Sequence, residues 1–173
     1  MTIDDECATI IARRQPTASD LRLVITIIKV NRDLERIGDE AAKVARQAVQ
    51  LSEGGMSPSS FVEIRHIGAL VGVLLRQSLD AFARLDVTKA IEVVRGDAEV
   101  DKEYGSAMRS LVTFMVEDPR NIGAILNEMW ALRSLERIGD HACNIAEHVV
   151  YLVKGLDVRH GRLSELGEEA LDI

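Results

Sequence analysis

The hexapeptide Leu-Glu-Arg-Ile-Gly-Asp occurs twice, at Leu34 to Asp39 and at Leu135 to Asp140, a shift of 101 residues. Identity continues around it, with Arg32 matching Arg133, Ala41 matching Ala142, Ala45 matching Ala146 and Leu51 matching Leu152. Apolar type is kept at Val44 and Ile145. Self-similarity at a fixed shift means that one supersecondary unit is used twice, and any fold proposed for the chain must place two such units. The prolines ahead of the motifs, Pro16 and Pro119, fall in equivalent places if the second copy is two residues shorter.

Those prolines are two of only three in 173 residues, with Pro58 the third. A sandwich or barrel of short strands needs many more turn breakers, so long helices are favoured. Residues 1 to 14 read as a helix stopped by Gln15-Pro16, since the residue before a proline is pushed out of helical geometry. Ser19 is the predicted N-cap of a helix from about Asp20 to Leu51. Within it Leu34, Ile37, Ala41, Val44 and Ala48 recur in steps of three and four, the spacing of a bundle seam. Ser52 to Ser59 is the clearest loop, and a serine cap before Phe61 starts a helix reaching Leu85. Thr88 is the predicted cap of a fourth helix ending near Glu117, where Asp118-Pro119 repeats the earlier stop. A fifth runs from about Arg120 to Lys154, closed by Gly155. The expected fold is all-α, a bundle in which short loops force neighbouring helices antiparallel.

The repeat divides this bundle unequally. Residues 59–155 form a complete three-helix unit, residues 1–53 a partial one of two helices, and residues 156–173 an acidic tail. Val100-Asp101 aligns with Ile3-Asp4, so the first copy begins inside its own middle helix. Counterparts of the helix Phe61 to Leu85 and of Asp97 are missing from it. A truncated chain, a late start codon and a partner subunit that fills the gap all account for this. The uncovered apolar face of residues 1 to 51 is expected to drive dimerisation or aggregation.

Composition narrows the functional classes. A formal charge of −7, from 28 acids against 21 bases, argues against neutralising nucleic-acid phosphates or lying on an anionic membrane. One Trp, two Tyr and three Phe leave little for stacking bases. Cys7 and Cys143 read as reduced thiols, the N-terminus lacks the marks of a signal peptide, and no stretch is apolar enough to span a bilayer. The expected setting is the cytoplasm.

Cations suit the chain better. Each motif places two carboxylates four residues apart on one helical face, Glu35 with Asp39 and Glu136 with Asp140. Such a like-charge pair costs an isolated helix roughly 0.2 to 0.5 kcal/mol, which a hard cation offsets. Asp97 and Asp101 repeat the spacing on the neighbouring helix, and Asp4 is the surviving acid of the equivalent helix in the first copy. Oxygen ligands stacked one turn apart suit magnesium, calcium or iron. A single pair reads as an ordinary solvated face beside Arg32, Arg36 and Lys43, or beside Arg133 and Arg137. Duplication of both acids in register favours a site instead. Asn144 and His148 extend the Glu136 stripe and can add ligands, whereas His141 lies off it, a surface or interhelix residue, and Cys143 is a packing residue. Glu63-Ile-Arg-His66 fits the Glu-x-x-His pattern of di-iron bundles, which needs two such motifs. A carboxylate-bridged metalloenzyme, a hydrolase or oxidase using Glu63, His66 and the acidic pairs, is the rival reading.

Arg14-Gln15-Pro16, Ser19-Asp20-Leu21-Arg22, the first Leu34 to Asp39 motif, Glu117 to Ile122 and the run Leu135 to Gly155 together resemble the PhoU family of bacterial phosphate-signalling regulators, over nearly the whole chain. The resemblance implies tandem three-helix bundles whose acidic pairs bind multinuclear clusters of metal ions, iron or zinc among others. It implies a non-enzymatic adaptor that links the ATPase subunit PstB of the phosphate importer to the sensor histidine kinase PhoR. Such an adaptor keeps the phosphate-starvation response off when phosphate is plentiful and meets the membrane only through its partners. The implied ligands are Glu35, Asp39, Asp97, Asp101, Glu136 and Asp140, with Asp4 at the short end. Two departures are visible: the first helix is missing, and Lys43 stands where the second copy has Asn144.

Overall fold

The computed structural model describes residues 2–53, 61–156 and 158, and the chain is helical almost throughout them, without a strand. Five helices follow in order among the described residues: α1 (Ile3–Arg14), α2 (Ala18–Glu53), α3 (Val62–Arg84), α4 (Val87–Glu117) and α5 (Ile122–Lys154), with a 3-10 turn at Pro119–Asn121 leading into α5.

Their ends follow from local chemistry. Thr2 opens α1 with a reciprocal box in which its hydroxyl accepts from the Asp5 backbone and Asp5 accepts from the Thr2 backbone. Ahead of Pro16 the chain leaves α1 through Gln15 in the left-handed region. Helix α2 already begins at Ala18, so Ser19 lies inside its first turn instead of capping it. Thr88 likewise lies within the first turn of α4, whose cap is Asp86, accepting from the Lys89 backbone at 3.0 Å. Gly155 closes α5 at φ 73°, donating to the Tyr151 carbonyl. The expected serine cap before Phe61 and most of the acidic tail lie outside the described residues.

Helix α5 is the hub. It packs on α2, α3 and α4, while α3 and α4 pair with each other and α1 rests on α2. Leu132, Ala142, Ile145, Ala146 and Val149 on α5 are fully buried, and Ile67, Val71, Val93 and Val100 from α3 and α4 close over them.

The α2–α5 contact, the most extensive in the molecule, is antiparallel and carries the repeat. Asp33 meets His141 there, and Glu40 meets Arg137 with Ser134 beside it. Under the 101-residue shift Asp33 corresponds to Ser134 and Glu40 to His141. The same two helix positions therefore meet twice, once as Asp with His and once as Ser with Glu, so the two copies face each other about a pseudo-twofold centred on the hexapeptides.

The bundle seam of α2 differs from the predicted one. Its buried stripe is Thr26, Val30, Asp33, Ile37 and Glu40, sharing Ile37 with the predicted seam, while Val44 is half-buried against the core. Leu34 is 41% exposed, and Ala41 and Ala48 are exposed too, whereas their counterparts on α5, Leu135, Ala142 and Val149, are buried. Apolar spacing records a face that a neighbour covers in the second unit; among the described residues α2 has no counterpart of α3 on that side.

Candidate functional site

In the second unit Asp97 and Asp101 on α4 confront Glu136 and Asp140 on α5. A Cβ added at Gly139 would stand 3.3 Å from Asp97 Oδ1 and 3.6 Å from Val100, so glycine lets the two acidic helices approach. Burial and then the charges of Asp101, Asp140 and Glu136 push the Asp97 carboxyl up to about 6. Glu136 is raised by burial and Asp140, against the pull of Arg133, with which it forms an ion pair. Its Oε2 is buried with no hydrogen-bond partner. Asp140 is raised by burial and Asp101, with Arg133 opposing.

Asp97 and Asp140 line an open pocket of about 440 Å³ with Glu147, Arg137 and Cys143. Burial and the surrounding carboxylates push the Cys143 thiol far above its ordinary range, which keeps it protonated and unsuited to act as a thiolate. An all-oxygen set that is mutually repelling, with one orphaned oxygen, fits a hard cation. Among the described residues no three His, Cys, Asp or Glu side chains already stand around one coordinating point.

Asn144 and His148, which extend the stripe, turn to α2 instead. His141 Nδ1 donates to Asp33 Oδ1 at 2.8 Å, Asn144 to the same oxygen at 3.3 Å, and His148 Nε2 to Asp33 Oδ2 at 3.2 Å. Burial opposes ionisation of Asp33, but these bonds outweigh it and hold the carboxyl below its ordinary value. His141 is thus an interhelix residue, as its place off the stripe implies.

The first unit assembles nothing comparable. Glu35, Asp39 and Asp4 are exposed. Asp39 faces Arg36 at 3.8 Å, and Asp4 accepts from Asn31, one helical turn ahead of Glu35. Nothing lies within 4 Å of the Cβ position of Gly38. Lys43 pairs with Glu40 at 2.8 Å, and Arg137 joins it at 3.1 Å. Burial works against ionisation of Glu40, yet the hydrogen bonds from Lys43 and Ser134 and the charge of Arg137 keep it below its usual value. These acids, exposed or already offset by bases, lack the burial and mutual repulsion that would make a cation as favourable here as in the second unit. Asp33 and Glu40 escaped sequence reasoning, although Thr26, Val30, Asp33, Ile37 and Glu40 step by four, three, four and three, a signal that was there.

Glu63 and His66 line a different pocket, between α3 and α4, with Glu103. It shares no lining residue with the pocket of Asp97 and Asp140, so the residues of the metalloenzyme reading do not converge.

The PhoU domain family matches residues 1–48 and 64–149. The chain is 61% identical over 167 residues to the phosphate-specific transport system accessory protein PhoU homolog of Pseudomonas aeruginosa, covering 96% of this chain and 69% of that one. It is 46% identical to the PhoU accessory protein of Escherichia coli (strain K12), covering 92% of this chain and 66% of the other. It thus spans about two thirds of the length of these relatives. The crystal structure of PhoU from Pseudomonas aeruginosa superposes with a TM-score of 0.86 over 88% of this chain and 73% of that one, at 61% identity. PhoU from Streptococcus pneumoniae superposes at 0.79 with 31% identity, over 90% and 72% of the two chains. With the repeated motif, the five-helix architecture and these matches together, the chain belongs to the PhoU family.

Proposed function

We propose that the chain is a regulatory accessory protein of phosphate uptake, a non-enzymatic adaptor that works in the cytoplasm and holds metal ions on the acidic face of its second unit. The relatives named as accessory proteins of the phosphate-specific transport system support the regulatory role. The observation that carries the metal assignment is the facing set Asp97, Asp101, Glu136 and Asp140, in which burial and neighbouring carboxylates raise Asp97, Glu136 and Asp140 and one Glu136 oxygen is left without a partner. A bound cation supplies the missing positive charge there. Iron or zinc is the expected occupant, with magnesium or calcium as the alternatives that an all-oxygen set admits. Glu35, Asp39 and Asp4 belong to the weaker first site of the same scheme.

The adaptor reading places an importer ATPase of the PstB kind and a sensor kinase of the PhoR kind on its outer surface, with negative regulation when phosphate is plentiful. No described helix is long and apolar enough to cross a membrane, consistent with contact to the bilayer only through such partners. Exposed Leu23 and Leu34 on α2 support association between copies.

Elemental analysis of purified protein tests the metal assignment. Asp97→Asn with Asp140→Asn is expected to lower bound metal, and Glu35→Gln with Asp39→Asn to change it far less. Unchanged metal in the first pair of substitutions sinks the assignment. Affinity capture of kinase and ATPase under high and low phosphate tests the adaptor role, and capture that ignores phosphate would count against it.

A further inference from the structure

Arg22 and Lys29 of α2 stand over one ring, Tyr151 of α5, the guanidinium carbon 5.9 Å and the ammonium nitrogen 5.0 Å from its centroid. Arg22 also donates to the Leu152 carbonyl at 3.4 Å, and a Cβ added at Gly155 would come within 2.7 Å of its guanidinium. Both bases are half-buried, so the ring and the end of α5 hold them in place. The ion pairs among the described residues occupy Arg36, Lys43, Lys89, Arg120, Arg133 and Arg137, and neither Arg22 nor Lys29 is in one. In a chain of 28 acids against 21 bases, two cations fixed on one ring are thus left without a carboxylate among the described residues.

The chain itself brings carboxylates to this place. It leaves α5 at Gly155, against Arg22, and Val158 is 2% exposed within the core cluster, so the chain turns back onto the bundle there. Further on, outside the described residues, the stretch 163–173 carries Glu165, Glu168, Glu169 and Asp172 and no lysine, arginine or histidine. From Val158 to Glu165 the chain can span up to about 25 Å. Arg22 and Lys29 are about 10 Å apart along α2, and Glu165 and Asp172 have the same separation in sequence. We propose that the acidic segment 165–172 docks on Arg22 and Lys29 of its own chain, its carboxylates pairing with the two bases beside Tyr151. A free carboxylate gains little from a base at the surface. One tethered within this reach is present at an effective concentration on the order of millimolar, so a modest attraction suffices. An anionic partner can then use these bases only by displacing the tail. None of these residues belongs to the acidic face of α4 and α5 or lines its pocket.

The test is zero-length carbodiimide coupling of the whole chain, which joins a carboxylate to an amine where the two are in contact. Products are mapped by mass spectrometry in a mixture of ordinary and nitrogen-15-labelled protein, which separates links within a chain from links between chains. Lys29 is expected to link to Glu165, Glu168, Glu169 or Asp172 of its own chain at least fivefold more often than the exposed Lys102 of α4 does. Arg22→Gln should cut the Lys29 yield at least threefold, and so should about 1 M salt, where the screening length is roughly 3 Å. Glu165→Gln with Glu168→Gln, Glu169→Gln and Asp172→Asn should abolish it. Tail carboxylates linked equally to Lys29 and Lys102, or to Lys29 of another chain alone, would overturn the proposal, as would a Lys29 yield indifferent to salt. Should Arg22→Gln fold poorly, wild type at low and high salt decides by itself.

Discussion

Leu34 to Asp39 and Leu135 to Asp140 are the same six residues in the same helical conformation, yet they live in different surroundings. On α5 the leucine is 8% exposed, the first acid 9%, and a Cβ at the glycine would press on Asp97 and Val100. On α2 the leucine is 41% exposed, both acids face solvent, and the glycine meets nothing. Ile37 and Ile138 alone are alike, at 8% and 7%, because both lie at the pseudo-twofold where α2 and α5 cross. Burial, and with it the electrostatic tension that a metal can relieve, is a property of the covering helices and not of the motif.

Substitutions can break that comparison. The largest difference is expected at the leucines, where Leu135→Ala should cost about 3 kcal/mol in urea unfolding through the cavity it leaves. Leu34→Ala should cost less than about 0.5 kcal/mol, as exposed positions do. Equal costs would mean that α2 is covered in solution. Next comes the polar crossing. Asp33→Ala strands the donors of His141, His148 and Asn144 and should cost about 2 kcal/mol. Ser134→Ala, at the equivalent position, should cost about 0.5 kcal/mol or a little more, because fewer groups depend on it.

A third effect depends on pH. Asp97 titrates near 6 when folded against 3.8 unfolded, so the native state binds more protons between those values. Its contribution favours folding at low pH and is lost as pH rises from about 4 to about 6. In chelator-treated protein at pH 8, Asp97→Asn should therefore be more stable than wild type, by about 1 kcal/mol after allowance for its partial exposure. Melting temperature across pH reads this out, and a pH-independent difference between the two proteins would contradict it. The smallest contrast is at the glycines. Gly38→Ala should stabilise by about 0.5 to 1 kcal/mol from helix propensity. Gly139→Ala should gain little or nothing, since its methyl would press on Asp97 at 3.3 Å.

Much of the architecture was legible beforehand. Pro16, Pro119 and Gly155 mark helix ends because a missing N–H, a fixed φ or a left-handed cap acts locally, whatever the rest of the chain does. Ser19 and Thr88 misled for the opposite reason: cap chemistry recurs within first turns, and Ala18 and Asp86 occupy the boundaries instead. The acids of the second face were legible from their spacing. Asn144 and His148 share that spacing yet serve Asp33, a residue 111 and 115 positions away in the chain, which no helical period can indicate.

By itself the amino-acid order determined the helices, their breaks and the double use of one motif, because these depend on contacts within a few residues along the chain. Only the tertiary structure decided which copy of the motif is enclosed and which histidines turn inward to Asp33. Those outcomes depend on desolvation and on charges brought together from separate helices, and identical hexapeptides acquire different chemistry when α3 and α4 close over one of them and leave the other in water.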